Sequence, residues 1–102
     1  MFTKGDVYYR ITYPNIDMLY PSIETFVFIG MNLSDEDEED TWYFQFARSY
    51  AKSGSVLESS QGDRAVVCAT NKDKEDMLDL SGLMSELKAA SVRRTKKSQS
   101  SG

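Results

Sequence analysis

Asp35, Glu36, Asp37, Glu38, Glu39 and Asp40 are six adjacent carboxylates, the densest set of chemically capable side chains in the chain. Clustered carboxylates suit hard cations such as calcium. The spacing argues against a calcium hand, because its sixth position needs glycine and, counted from Asp35, that position is Asp40. Six neighbouring charges cannot be buried unpaired. They therefore mark a solvated loop that discourages edge-to-edge association, or a docking element for a basic partner.

Other chemistry is thin. The chain has no histidine and one cysteine, Cys68. That removes Ser-His and Cys-His nucleophilic catalysis and leaves zinc without its usual ligands. No glycine-rich nucleotide fingerprint and no phosphate-binding loop occurs. Lys52, Lys72 and Lys74 fall in polar stretches, where a lowered amine pKa is not expected. The reading is of a protein without catalytic chemistry, metal or cofactor. Cys68 excludes an intramolecular disulfide; in AVVCAT it reads as a buried, inert thiol.

Aromatic and arginine side chains offer recognition instead. Arg10 is the only charge in the middle of an expected strand, and with Tyr8 and Tyr43 it forms a candidate platform on one sheet face. Its structural counterpart is an arginine paired with a cross-strand acid or stacked on Tyr8. Trp42 and Tyr50, added to Tyr8 and Tyr43, are the rings that a cage for a methylated ammonium group would need. Between Pro14 and Pro21, the loop PNIDMLYP carries Ile16, Met18, Leu19 and Tyr20. These residues either close one end of the core or form an adhesive patch.

The elements that must hold these groups follow from the patterning. Phe2 to Tyr13 alternates with period two and reads as a strand. Gly5-Asp6 supplies a turn at its start, and Pro14 stops it. Ile23 to Leu33 is a second strand, with Phe26 and Phe28 on one face and Ile23, Val27, Ile29, Met31 and Leu33 on the other. Gly30 is its expected bulge. Thr41 to Ala47 is a third strand, and the second and third flank the acidic loop as a long-looped hairpin. A helical turn is expected around Ser49 to Lys52, a brief edge strand at Val56-Leu57 and a last strand over Ala65 to Thr70. Met77, Leu80, Leu83, Met84 and Leu87 form the apolar stripe of a helix capped by Asp79 or Ser81 and ending near Ala90. The fold class is α+β: an antiparallel four-stranded sheet followed by one amphipathic helix that packs its stripe on a sheet face. A strongly curved, SH3-like barrel is the alternative. Residues 1–90 form the domain and residues 91–102 a disordered basic tail.

The net charge of −4 is unevenly spread. Arg93, Arg94, Lys96 and Lys97 leave eight cations against sixteen acids in residues 1–92, a net −8 there. Such a body disfavours nucleic acid and anionic membranes and favours a basic protein. No segment approaches the roughly 20 apolar residues of a membrane span. The N-terminus does not read as a secretory signal, and the cysteine usage fits a cytoplasmic protein. The functional expectation is a small protein-interaction module, either a homodimer or a subunit or inhibitor that binds one protein. The alternative is a pocket for a small anion or modified side chain, lined by Tyr8, Arg10, Trp42 and Tyr43. Nucleic-acid binding through the basic tail is a third and weaker reading.

Overall fold

The computed structural model describes residues 2–57 and 66–100. Four strands, β1 (Val7–Thr12), β2 (Ser22–Met31), β3 (Trp42–Phe46) and β4 (Val66–Ala69), make an open antiparallel sheet in the order β1-β2-β3-β4. A short helix α1 (Ala47–Ser53) follows β3, a 3₁₀ turn covers Lys74–Asp76, and the long helix α2 (Leu80–Ser100) comes last. The expected α+β class is therefore present, as an open sheet and not a closed barrel.

Register explains the core. Tyr8 lies opposite Phe26, Phe26 opposite Phe46, and Phe28 opposite Phe44. Side chains two residues apart share a face, so one face becomes an aromatic layer. Phe26 and Phe44 are fully buried there, with Tyr8, Phe28, Trp42, Ala69 and Met77 around them and Phe2 packed against the layer. Past Phe28 the ladder shifts at a bulge, and Gly30 adopts φ +151°. The extra residue rotates the strand end, so Met31 pairs with Trp42 on the aromatic side and leaves the Ile23-Val27 side on which alternation alone would place it.

On the opposite face Gln45 is completely buried. Its side-chain nitrogen donates to Ser49 Oγ and Gly54 O, both at 3.0 Å, and its oxygen accepts from Val56 N–H at 3.0 Å. This one amide ties β3 to both ends of α1. The expected helical turn at Ser49–Lys52 thus belongs to a seven-residue helix. It ends at Gly54, whose φ of 74° and N–H bond to Tyr50 O close the last turn. Val56-Leu57 is a turn and not an edge strand, because Val56 N–H is taken by Gln45.

β1 begins at Val7, later than alternation suggested, since Gly5 (φ 86°) and the Asp6 N–H bond to Thr3 O make a turn before it. Its outer edge is capped by one residue: Tyr9 N–H donates to Leu78 O at 2.8 Å, and Leu78 N–H donates back to Tyr9 O at 2.7 Å. That bridge fixes where α2 begins, and Asp79 Oδ1 caps the helix through Gly82 N–H at 2.8 Å.

α2 departs from expectation in two ways. It packs against the edge strand β1, and Leu83, Leu87 and Ala90 turn inward while Leu80 and Met84 of the expected buried stripe face outward. It also continues to Ser100 instead of ending near Ala90, so the segment expected as a disordered tail is helical up to that residue. Three of its four cations, Arg93, Arg94 and Lys97, are tethered to the β1-β2 loop, and cations suit a helix C-terminus. The helix extends past the sheet, giving overall dimensions of 56 × 30 × 22 Å and a radius of gyration of 16.3 Å, against about 13 Å for a compact domain of this length.

Two expected outcomes follow. Gly30→Ala lowers unfolding free energy by about 1–3 kcal/mol, measured by urea titration, mainly because an L-residue resists that φ; the added Cβ would also lie 2.9 Å from the exposed Leu33 Cδ2. Gln45→Leu costs about 1–3 kcal/mol by stranding Val56 N–H and Gly54 O, and the loss registers as faster amide exchange over residues 47–56.

Candidate interaction surface

The β1-β2 loop, residues 13–21, is held by the last turns of α2. Pro14 and Pro21 remove two backbone donors and keep the loop out of the ladder. Met18 sits at φ 56°, a left-handed conformation uncommon for a side chain of this size, and its N–H closes a turn onto Asn15 O. Arg93 donates from Nε to Met18 O and from Nη2 to Tyr13 Oη, each at 2.8 Å. Arg94 donates to Leu19 O at 2.6 Å, and Lys97 pairs with Asp17 at 2.5 Å. Tyr13 Oη in turn donates to Glu86, one of the helix's own carboxylates, which also pairs with Arg93. Glu86, Arg93 and Lys97 lie on one helix face by their spacing.

The electrostatics are mutually consistent. The Tyr13 hydrogen bond, with Arg93 nearby, holds the Glu86 carboxyl below its ordinary range. Burial and the Glu86 charge push the Tyr13 phenol up. The charged carboxylate and the neutral phenol are thus both favoured at neutral pH.

Clamping sorts the loop's apolar residues. Leu19 is buried at 8% exposure, whereas Ile16 at 97% and Tyr20 at 59% face solvent and Met18 is part-exposed. Of the four apolar residues read from this loop, Ile16, Met18 and Tyr20 are on the surface and Leu19 closes the core end. Beside them lies a groove of about 310 Å³ lined by Asn15, Leu19, Tyr20, Arg94, Lys97 and Ser98 among others.

The platform expected from Tyr8, Arg10 and Tyr43 is not assembled. Tyr8 is in the aromatic layer, its hydroxyl accepting from Thr3 N–H at 2.7 Å. Arg10 pairs with Glu24, its cross-strand neighbour, at 2.8 Å and lies 5.1 Å from the Phe26 ring centroid. Tyr43 projects from the other face, opposite Cys68. Trp42 is buried under the Lys74 ammonium, 4.7 Å from its ring. The cage rings Tyr8, Trp42, Tyr43 and Tyr50 therefore do not converge, because strand alternation puts Trp42 and Tyr43 on opposite faces. A shallow groove of about 490 Å³ lies between the start of β2 and α1, lined by Ile23, Thr25, Phe46 and Arg48 among others, and none of the four expected pocket residues lines it.

The acidic loop is partly ordered by its own carboxylates. Asp37 accepts from Tyr43 Oη at 2.7 Å and from Ser34 N–H at 3.2 Å, and Asp40 accepts from Asn32 at 3.2 Å. Asp35, Glu36, Glu38 and Glu39 are exposed. The Asp37 hydrogen bond pushes the Tyr43 pKa up to about 12. Cys68 is exposed rather than buried, since β4 turns it outward; partial desolvation and the Asp37 charge raise its pKa, so the thiol stays protonated at neutral pH. Among the described residues no group of three potential ligands could hold a metal ion, and no helix is long and apolar enough to cross a membrane.

No family model, no curated protein and no solved structure matches this chain. Sequence reasoning missed Tyr13, Glu86, Arg93 and Arg94 as a unit, since 73 to 80 residues separate the partners. The one available signal was the seven-residue spacing of Glu86 and Arg93, two helical turns on one face.

Arg93→Ala is expected to cost about 1–2 kcal/mol and to raise amide exchange over residues 15–19 while leaving β3 protected. Tyr43 should ionise near pH 12 by ultraviolet titration, and Asp37→Asn should return it toward 10. Because the folded pKa exceeds the unfolded one, the stabilisation from this pair is complete below pH 10 and is lost as pH rises toward 12.

Proposed function

We propose that this chain is a small protein-interaction module without catalytic chemistry, and that loop 13–21 is its contact element for a protein partner. One observation carries the reading: Ile16, the most exposed large apolar side chain among the described residues, stands on a loop whose backbone carbonyls accept from Arg93 and Arg94 of α2. An exposed apolar side chain on a freely moving loop loses entropy when it binds. Held in advance, it avoids most of that cost. Tyr20 lies near it in the loop, with Arg94 6.0 Å from its ring centroid, and both are residue types enriched at interface hot spots.

The partner face that fits is an apolar pocket rimmed by a carboxylate. Ile16 would fill the pocket, and Arg94 and Lys97 would meet the acid. The reading also accommodates the acidic loop at the other end of the sheet, which favours basic surfaces at long range without needing to enter one.

The test compares wild type with Ile16→Ser plus Tyr20→Ser as baits, in native extract, with retained proteins quantified by mass spectrometry. Both substituted side chains are exposed, so circular dichroism should be unchanged. A stoichiometric protein retained by wild type and lost about tenfold or more with the double variant is expected, equivalent to about 1.4 kcal/mol or more. An identical retained set for both baits would remove the loop from the interface.

A further inference from the structure

The outward side of α2 is a second surface, separate from Ile16 and Tyr20. Leu80 (58% exposed), Met84 (62%) and Val92 recur at multiples of four residues, with Lys88 between them. Their helical positions are opposed to the inward set of Leu83, Glu86, Ala90 and Arg93. Leu80, Ser81, Met84, Ser85 and Lys88 line a groove of about 430 Å³, and its two serines leave room for close approach.

Charge is arranged along this surface. Glu75, Asp76 and Asp79 precede the stripe and are exposed; Lys88 lies within it and is exposed. The same polarity holds for the whole molecule. β1 and β2 place loop 13–21 at one end of the sheet and the six-acid loop at the other. α2 starts at Tyr9 and runs to loop 13–21. Leu78 to Lys97 covers about 28 Å at helical rise. From the level of Tyr9, paired with Thr25, β2 runs about 20 Å to Met31 in the other direction, before the acidic loop begins. Leu80 and Met84 therefore lie near the middle of a long molecule with unlike charged ends.

We propose that this surface binds a second copy of the chain, with the two α2 helices packed antiparallel about a two-fold axis passing close to Leu80 and Met84. An antiparallel pair brings each copy's Lys88 toward the Glu75-Asp76 segment of the other, and sets the acidic pole beside the basic pole. A parallel pair would align like charges along the whole length. The contact is isologous, so it closes at two chains. It buries the exposed Leu80 and Met84 against their counterparts.

Sedimentation equilibrium on the full chain tests this, at low salt and at about 0.5 M salt, where the Debye length falls to about 4 Å. Wild type should have the mass of two chains at low salt, with a dissociation constant that rises about tenfold or more at high salt. Leu80→Ser with Met84→Ser should be monomeric. Lys88→Glu, and separately Glu75→Lys with Asp76→Lys, should each weaken self-association, and an equimolar mixture of the two should restore the two-chain mass. Unchanged circular dichroism shows that each variant is folded. A wild-type monomer at low salt, a mass that climbs beyond two chains, an unaffected Leu80-Met84 variant or a mixture that stays monomeric would each overturn the proposal. Retention of a foreign protein through Ile16 and Tyr20 is independent of every one of these outcomes.

Discussion

The contact between Phe44 and the rings around it is the constraint on which the rest of the structure depends. Phe2, Tyr8, Phe26 and Phe28 all have ring centroids between 5.0 and 6.4 Å from that of Phe44. These five rings come from the N-terminal segment and three different strands. A slip of one residue in any strand pairing would turn its phenylalanines to the other face. On β3 the slip would also carry Gln45 into the aromatic layer, where its amide would lose all three partners. The apolar layer and the buried amide therefore select the same register from opposite faces of one strand.

A different kind of force joins the helix to this sheet. Leu83 and Ala90 contribute apolar burial along β1, but the far end of α2 is held by Arg93, Arg94 and Lys97 bonding to backbone carbonyls and an aspartate. Ion pairs as exposed as Lys97–Asp17 contribute little by themselves. The two carbonyl contacts matter more, because Met18 and Leu19 have their backbone acceptors satisfied in a loop that cannot use a ladder. Polar bonds are directional in a way apolar packing is not. The loop's backbone is thus tied to α2 while Ile16 remains in water.

Much of the sheet was legible in the chain, because period-two alternation and β-branched or aromatic content are local properties. The acidic hairpin loop, the Gly30 bulge and the Asp79 cap were readable for the same reason. The candidate site was not. Tyr8 looked exposed because alternation tells which residues share a face, not which face is covered. Tyr43 joined Arg10 in the expected platform although a bulge and a strand lie between them. The basic segment after Ala90 matched the composition of a tail, and only contacts with residues 75 positions earlier in the chain show otherwise. The apolar loop residues stood out by composition alone; which of them point outward depends on arginines that no local pattern connects to them.

The span of those tethers also has a consequence for biosynthesis. Asp17 leaves the ribosome 80 residues ahead of the lysine that grips it, and Met18 emerges 75 ahead of its arginine. At about 5–20 residues per second, the loop is made several seconds before the side chains that tether it. During that interval it is an apolar peptide in search of a surface, and an unfinished chain is at its most adhesive. Completion of the last helix is then the event that converts an indiscriminate segment into a shaped one.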